Sequence, residues 1–279
     1  MKKIISLASL LTIFAACTKE IGVTGPAGTQ GAAGNAGKGS VGDTGTIAGQ
    51  LNLYNEFSIP LDDESGTVVT ITSGGLQFTD TTNVAGQYHF SGLATGTYDL
   101  SYQKPGYGTM KVFGVSHFGG GLTPTAVEKV YAVQIPQKTA PDSLTATVNN
   151  GSYVYFDLQL DTSSLRYQQY YGNLEIFIGT DKNVGPNNYV TKGQTAFSPD
   201  GVGGYLGFLY KNDPVFPLPF HTGDSLYAVA YTFNLYLQPN SAYAYYTYPN
   251  PGETYIDPQT GREVYPNLSK PSNIFGFVY

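Results

Sequence analysis

From about residue 46 onward, apolar and polar residues alternate with a period of two. Val69 and Ile71 share one parity, as do Tyr88 and Phe90, and then Tyr98, Leu100 and Tyr102. Tyr131, Val133 and Ile135 repeat the pattern. In the second half it returns at Leu144, Ala146 and Val148, at Val154, Phe156, Leu158 and Leu160, and at Leu174, Ile176 and Ile178. Tyr227, Val229, Tyr231 and Phe233 follow, and the chain closes on Ile274, Gly276 and Val278. A period of two places such residues on one face of a strand. With glycine-rich turns recurring about every ten residues, the pattern predicts antiparallel sandwiches. Lys138 to Ser143 reads as a linker, so the expected fold class is all-β, with two β-sandwich domains in tandem.

The amino terminus breaks this pattern. Met1-Lys2-Lys3 precedes an apolar run from Ile4 to Phe14 and the small pair Ala15-Ala16. A basic start, a run of this length and small residues at its end make a secretory signal. A bilayer span needs about 20 apolar residues. Phe14-Ala15-Ala16-Cys17 resembles the lipobox of bacterial lipoproteins, with Phe14 where that family usually carries leucine. The resemblance implies that Cys17 is acylated and becomes the new amino terminus. The alternative is an ordinary signal cleaved nearby, which would leave Cys17 as a free thiol. Cys17 is the only cysteine, so no disulfide can staple the domains.

Glycine falls at 22, 25, 28, 31, 34 and 37, slips to 39, and resumes at 42 and 45. This is the G-x-y period of collagen, in which only glycine fits the axis of three chains. The tract holds one proline, Pro26, and one break at Gly37-Lys38-Gly39. Two readings stay open, a flexible tether and a trimerising stalk. Such tracts directly after the lipid cysteine look like those of many Bacteroidetes lipoproteins. The expected organisation is a signal at 1–16, a lipidated Cys17 with tether over 17–45, a first sandwich at 46–137 and a second at 138–279.

Within the first sandwich, Ala85-Gly86-Gln87-Tyr88-His89-Phe90, Leu93-Ala94-Thr95-Gly96-Thr97-Tyr98 and Lys104-Pro105-Gly106-Tyr107 occur in that order. This order resembles the carboxypeptidase regulatory-like domain, a transthyretin-like sandwich that is a non-catalytic accessory module in its family. Gly86 and Gly96 are expected to supply turns with positive φ. The second sandwich resembles a fibronectin type III-like domain. Ala140-Pro141-Asp142-Ser143-Leu144 looks like its first strand, Gly223 to Tyr231 like the penultimate one, and Lys270 to Ile274 like the last. Tyr227 takes the tyrosine-corner position. The departures are a missing tryptophan and long insertions at 181–204 and 234–269.

Composition agrees with strands and turns. The chain has 24 Tyr, 15 Phe and 35 Gly, no Trp, and only 12% charged residues. Losing the signal removes two lysines and takes the formal charge from −6 to −8. Acidity of this kind argues against nucleic acid and against docking on anionic lipid by charge, leaving acyl chains as the expected membrane contact.

Signals for catalysis are thin. His89, His117 and His221 are scattered without zinc-ligand spacing. Gly114-Val115-Ser116-His117-Phe118-Gly119 misses the nucleophile-elbow pattern by one glycine and lacks its strand-turn-helix setting. His89 is expected to face solvent. Asp62-Asp63-Glu64 reads as a solvated turn rather than a calcium loop. No catalytic residue, metal site or cofactor is predicted.

The tyrosines are the best candidates for a functional surface. Tyr243, Tyr245, Tyr246, Tyr248 and Tyr255 crowd the insertion between Ser241 and Tyr265. Rings on a long loop offer flat apolar faces with polar tips for sugars or proteins, or else pack the insertion onto the sandwich. Asp80-Thr81-Thr82, Asp142-Ser143-Leu144 and Asp224-Ser225-Leu226 resemble the short O-glycosylation pattern of Bacteroidetes, at Thr81, Ser143 and Ser225. The leading expectation is a non-enzymatic outer-membrane lipoprotein, periplasmic or surface-facing, monomeric, binding polysaccharide or protein. A trimeric stalk is the second, and a hydrolase with a dispersed acid site in the second sandwich the third.

Overall fold

The computed structural model describes residues 43–138, 140–149, 153–160, 170–199, 205–210, 218–237 and 254–279. All regular elements among them are strands. Cys17, the Gly-x-y tract up to residue 42 and Tyr243 to Tyr248 lie outside the described residues. Thr44 and Gly45, at the end of the expected tether, already belong to the first strand of the sandwich.

The first sandwich has two sheets. β1 (Thr44–Tyr54) pairs antiparallel with β4 (Gln87–Ala94) on one side. On its other side it runs parallel to β7 (Thr125–Ala126) and then β8 (Val130–Val133). The facing sheet runs in the order β3 (Leu76–Thr81), β2 (Val68–Ser73), β5 (Gly96–Gln103), β6 (Met110–His117). In β2, β4 and β5 the alternating residues point where the pattern predicts. Ile47, Leu51, Val69, Ile71, Tyr88, Phe90, Tyr98, Leu100 and Tyr102 form one core. Gly86 turns at φ 70°, and a Cβ there would overlap the Leu51 carbonyl. Gly96 does not have the expected positive φ, which falls instead at Gly92 (71°) and Gly106 (84°). Gly96 is already a strand residue paired with His117, so the chain reverses without a left-handed residue at that position.

The second sandwich is one hydrogen-bonded sheet folded over itself. Its order is β17 (Phe275–Val278), β14 (Ser225–Leu237), β11 (Tyr170–Gly179), β12 (Thr191–Pro199), β13 (Tyr205–Tyr210), β10 (Tyr153–Leu160), β9 (Pro141–Asn149). β12 turns the corner: residues 191–197 pair with β11, whereas Ser198 and Pro199 pair with β13. The insertion expected at 181–204 therefore contains a strand of the sheet. Leu144, Phe156 and Leu158 from one layer meet Leu174, Ile176, Ile178, Leu226, Ala228 and Ala230 from the other. Asn273 stitches the free edges, accepting from Leu144 N at 2.5 Å and donating to Leu144 O at 3.1 Å.

Three phases of the alternation differ from the reading above. In β8, Val130 and Ala132 face the first core, out of step with Tyr131, Val133 and Ile135. Leu226, Ala228 and Ala230 face this core, while Val229 lies on the outer side with Tyr227 and Tyr231. At the carboxyl end Phe275, Phe277 and Tyr279 face inward, leaving Ile274 and Val278 exposed. At the carboxyl end the aromatic rings take the inner face, where they remove more apolar area from water than Ile274 and Val278 would. In β14 it is a strap of chain over the outer face that draws Tyr227 and Tyr231 outward.

Residues 40–279 form one compact unit. The Glu56 carboxylate holds the junction of the sandwiches by accepting the backbone N–H groups of Gln137 (2.9 Å) and Lys138 (3.0 Å). Phe113 of β6 meets the Tyr255 ring at 5.9 Å. Gly108 lies so close to Pro266 that a Cβ would overlap the proline carbonyl.

Candidate functional site

The outer face of β11 and β14 carries the densest polar and aromatic cluster among the described residues. From Leu174 to Ile178, β11 is buried on both sides. Leu174, Ile176 and Ile178 fill the core, while Glu175 and Phe177, one step out of phase, are equally inaccessible beneath a strap of chain. The strap begins with a hairpin of β15 (Tyr255–Ile256) and β16 (Glu263–Val264). Its turn is fixed by the Asp257 carboxylate, which accepts from Gln259 N at 2.8 Å, and by Gly261 at φ 65°.

The strap then runs along β14 as a substitute for a strand. Ser269 N donates to Thr232 O (2.9 Å), and the Ser269 hydroxyl accepts from Thr232 N (3.0 Å). Ser272 repeats the arrangement at Ala230, with 2.9 Å and 3.0 Å. Two serines thus satisfy the edge of β14 beyond the end of β17, which an apolar segment could not do.

Beneath the strap, the Phe177 ring is enclosed by Tyr189 (5.1 Å), Tyr265 (5.3 Å) and Tyr231 (5.6 Å). The Lys192 ammonium lies 4.8 Å from the Tyr265 ring centroid, a cation–π contact. It donates to Glu263 at 2.6 Å and stands 3.5 Å from the buried Glu175 carboxylate. Glu263 also accepts from Thr254 (2.7 Å) and from the Tyr265 hydroxyl (2.8 Å).

These contacts set the protonation states. Burial alone would lower the Lys192 pKa, but the hydrogen bond to Glu263 and the two carboxylate charges outweigh it and raise the value. Burial would raise Glu263, but hydrogen bonds from Lys192, Thr254 and Tyr265 hold it below the ordinary range. Tyr265 is pushed up by burial and by its bond to Glu263. The lysine is therefore kept protonated and the phenol neutral. Neither is poised as a nucleophile or base near neutral pH. The cluster works as a fastening for the strap.

The residues singled out by sequence are dispersed. Tyr255 is half-buried, paired with Val264 across the hairpin and packed on Phe113, so its ring joins the sandwiches. Thr81 and Ser225 are exposed and Ser143 is half-buried. Asp80, beside Thr81, accepts from His89 N at 2.8 Å, and the His89 ring is largely exposed as expected. His117 is buried, its Nδ1 2.7 Å from the Thr125 hydroxyl. Glu64 corrects the solvated-turn reading of 62–64. It is buried because its carboxylate accepts from Asn52 Nδ2 (3.0 Å) and Leu53 N (3.1 Å), which offset its desolvation. Among the described residues, no three His, Cys, Asp or Glu side chains gather as metal ligands.

Glu175, Lys192, Glu263 and Tyr265 were not singled out in advance. The one local signal was Glu175 itself, a lone charge in the run Leu174-Glu175-Ile176-Phe177-Ile178.

No family model matches the chain, and no curated protein is similar to it in sequence. Among solved structures, it is similar to a "putative carbohydrate binding protein" from Bacteroides uniformis at 13% identity and TM-score 0.28, covering 85% of this chain and 100% of that one. A DUF3823 family protein from Parabacteroides merdae matches at 11% identity and TM-score 0.27, over 84% of this chain and 98% of that one. Another of that family, from Bacteroides ovatus, matches at 13% and 0.26, over 68% and 90%. Superpositions this loose assign no ligand to this chain.

Proposed function

We propose that the protein is a non-enzymatic lipoprotein, anchored through acylated Cys17, that displays two β-sandwich modules for binding extracellular polysaccharide or protein. The observation that supports this most is how its buried carboxylates are used. Glu56 holds the junction, Glu64 holds β1, and Glu175 with Glu263 holds the strap. Each is committed to backbone or to a lysine, so the described polar groups build a rigid support rather than a reacting centre. A rigid sandwich with long connections is the arrangement on which binding loops are carried. The tyrosines from Tyr243 to Tyr248 remain the proposed contact surface, just before the strap in sequence, while Tyr255 is committed to packing on Phe113.

Glycan arrays and pull-downs with the full chain test the reading. Binding that falls when Tyr243, Tyr245, Tyr246 and Tyr248 become alanine together supports it. Binding unchanged by those substitutions removes the tyrosines from the account, and hydrolysis of a captured glycan would overturn the non-enzymatic reading.

A further inference from the structure

The two ends of the first sandwich differ in character. At the end where the chain enters β1, Thr44 pairs with Ala94 and Gly96 pairs with His117. The β2–β3 turn closes at Ser73 and Leu76, and a Cβ on Gly96 would lie 3.7 Å from the Ser73 hydroxyl. The turns 73–76 and 94–96 and the loop 117–125 therefore gather around the incoming chain. Gly120 N donates to Thr44 O at 3.1 Å, and Gly119 N to the Thr95 hydroxyl at 2.8 Å, tying the loop to that end.

This end presents large apolar side chains to solvent. Leu76 is 65% exposed, Phe118 76% and Leu122 fully. The three segments contain no Asp, Glu, Lys or Arg; the Asp43 carboxylate lies beside Gly120, and Asp99 and Glu128 each follow a segment by three positions. The opposite end also shows apolar residues, Ile59 and Val84, but with the exposed Asp62 and Asp63 in the same loops. Phe118-Gly119-Gly120-Gly121-Leu122 thus sets two apolar side chains on a glycine loop with no charge of its own. The Asp43 carboxylate beside Gly120 limits entry to the polar boundary of a bilayer, where a carboxylate stays hydrated.

We infer that this end of the first sandwich is a lipid-contacting face, with Phe118 and Leu122 inserted at the surface of the membrane that holds Cys17. The inference rests on the anchored reading above and on the flexible-tether reading of residues 17–45. Cys17 and Asp43 lie 26 positions apart (17 to 43). A Gly-rich tether of that length has an r.m.s. span of about 28 Å, on the order of 5–6 Å × √n. The face is therefore held near the bilayer at an effective concentration approaching the millimolar range. Contact that weak in free solution becomes persistent on a tether. A net-acidic chain gains nothing from anionic headgroups, so the face suits a neutral lipid surface.

The test uses the full chain, produced with its signal and reconstituted into phosphatidylcholine–phosphatidylethanolamine vesicles carrying nitroxide-labelled lipid. Mass spectrometry of the amino-terminal peptide first establishes whether Cys17 is acylated. An environment-sensitive fluorophore is then placed at Leu122→Cys or, as the control at the far end, at Val84→Cys. The expected result is strong quenching at position 122, little at 84, and loss of the quenching at 122 when Phe118→Asp is added. Both positions are exposed, so labelling leaves the fold intact, which circular dichroism checks. Equal or absent quenching at the two positions in acylated protein overturns the lipid-contacting face and leaves the anchor standing. An unacylated Cys17 overturns the anchor and this inference with it.

Discussion

Lys192 and Glu263, 71 residues apart in sequence, meet at 2.6 Å across the outer face of the second sandwich, with Glu175 buried below them. Replacing Lys192 by methionine keeps most of its packing but leaves the Glu175 charge without its lysine. The expected loss is on the order of 2–3 kcal/mol, less than for a fully buried pair because Lys192 is partly hydrated. Adding Glu175→Leu should recover much of that loss. Thermal unfolding of the single and double variants measures it, and a double variant weaker than the single would contradict the pairing.

The same cluster sets a pH dependence. Glu263 is held below its ordinary value of about 4.5, so it contributes stability above that pH and loses it as pH falls through the lower folded value. Lys192 is raised above about 10.5, so its contribution is present below that pH and fades as pH climbs past the raised value. Near-ultraviolet circular dichroism from Tyr189, Tyr231 and Tyr265 should change below about pH 4.5, where the carboxylate begins to protonate. In Glu263→Gln that acid step should vanish.

In the first sandwich, the hydroxyls of Tyr88 and Tyr102 meet at 2.6 Å inside the core. Burial pushes Tyr88 up to about 12 and Tyr102 further, so both stay protonated at neutral pH. Tyr102→Phe leaves the Tyr88 hydroxyl without that partner, at a cost of about 1–2 kcal/mol. The double change to phenylalanine should cost less than the sum of the singles in chemical denaturation. Simple additivity would show that the pair is not coupled.

Glu56→Ala removes the acceptor for both Gln137 and Lys138 at the junction. Charge-assisted bonds of this kind are worth about 1.5–3 kcal/mol each. The expected outcome is faster tryptic cleavage after Lys138, with Glu56→Gln intermediate because its amide oxygen still accepts.

Both cores were legible where one side chain in two faces a single interior. Tyr88 and Phe90, or Leu174, Ile176 and Ile178, mark their strands and their inner faces without help from distant chain. Phe177 and Glu175 were not, because their burial depends on a strap some 80 or more positions later, which no local period encodes. The phase at the carboxyl terminus was ambiguous for a related reason. Ile274 and Val278 alternate as well as Phe275 and Phe277 do, and only the packing partner decides between them. Ser269 and Ser272 read as loop residues, since a hydroxyl standing in for a strand's backbone leaves no signature in hydrophobicity.

The parallel pairing of β1 with β8 also governs how the molecule bears load. The chain enters at the amino end of β1 and leaves toward the second sandwich from the carboxyl end of β8. A pull between the start of β1 and the second sandwich therefore draws these strands past each other along their length. The ladder from Leu51 opposite Val130 to Tyr54 opposite Val133 is loaded in shear, so its hydrogen bonds resist together rather than unzipping in turn.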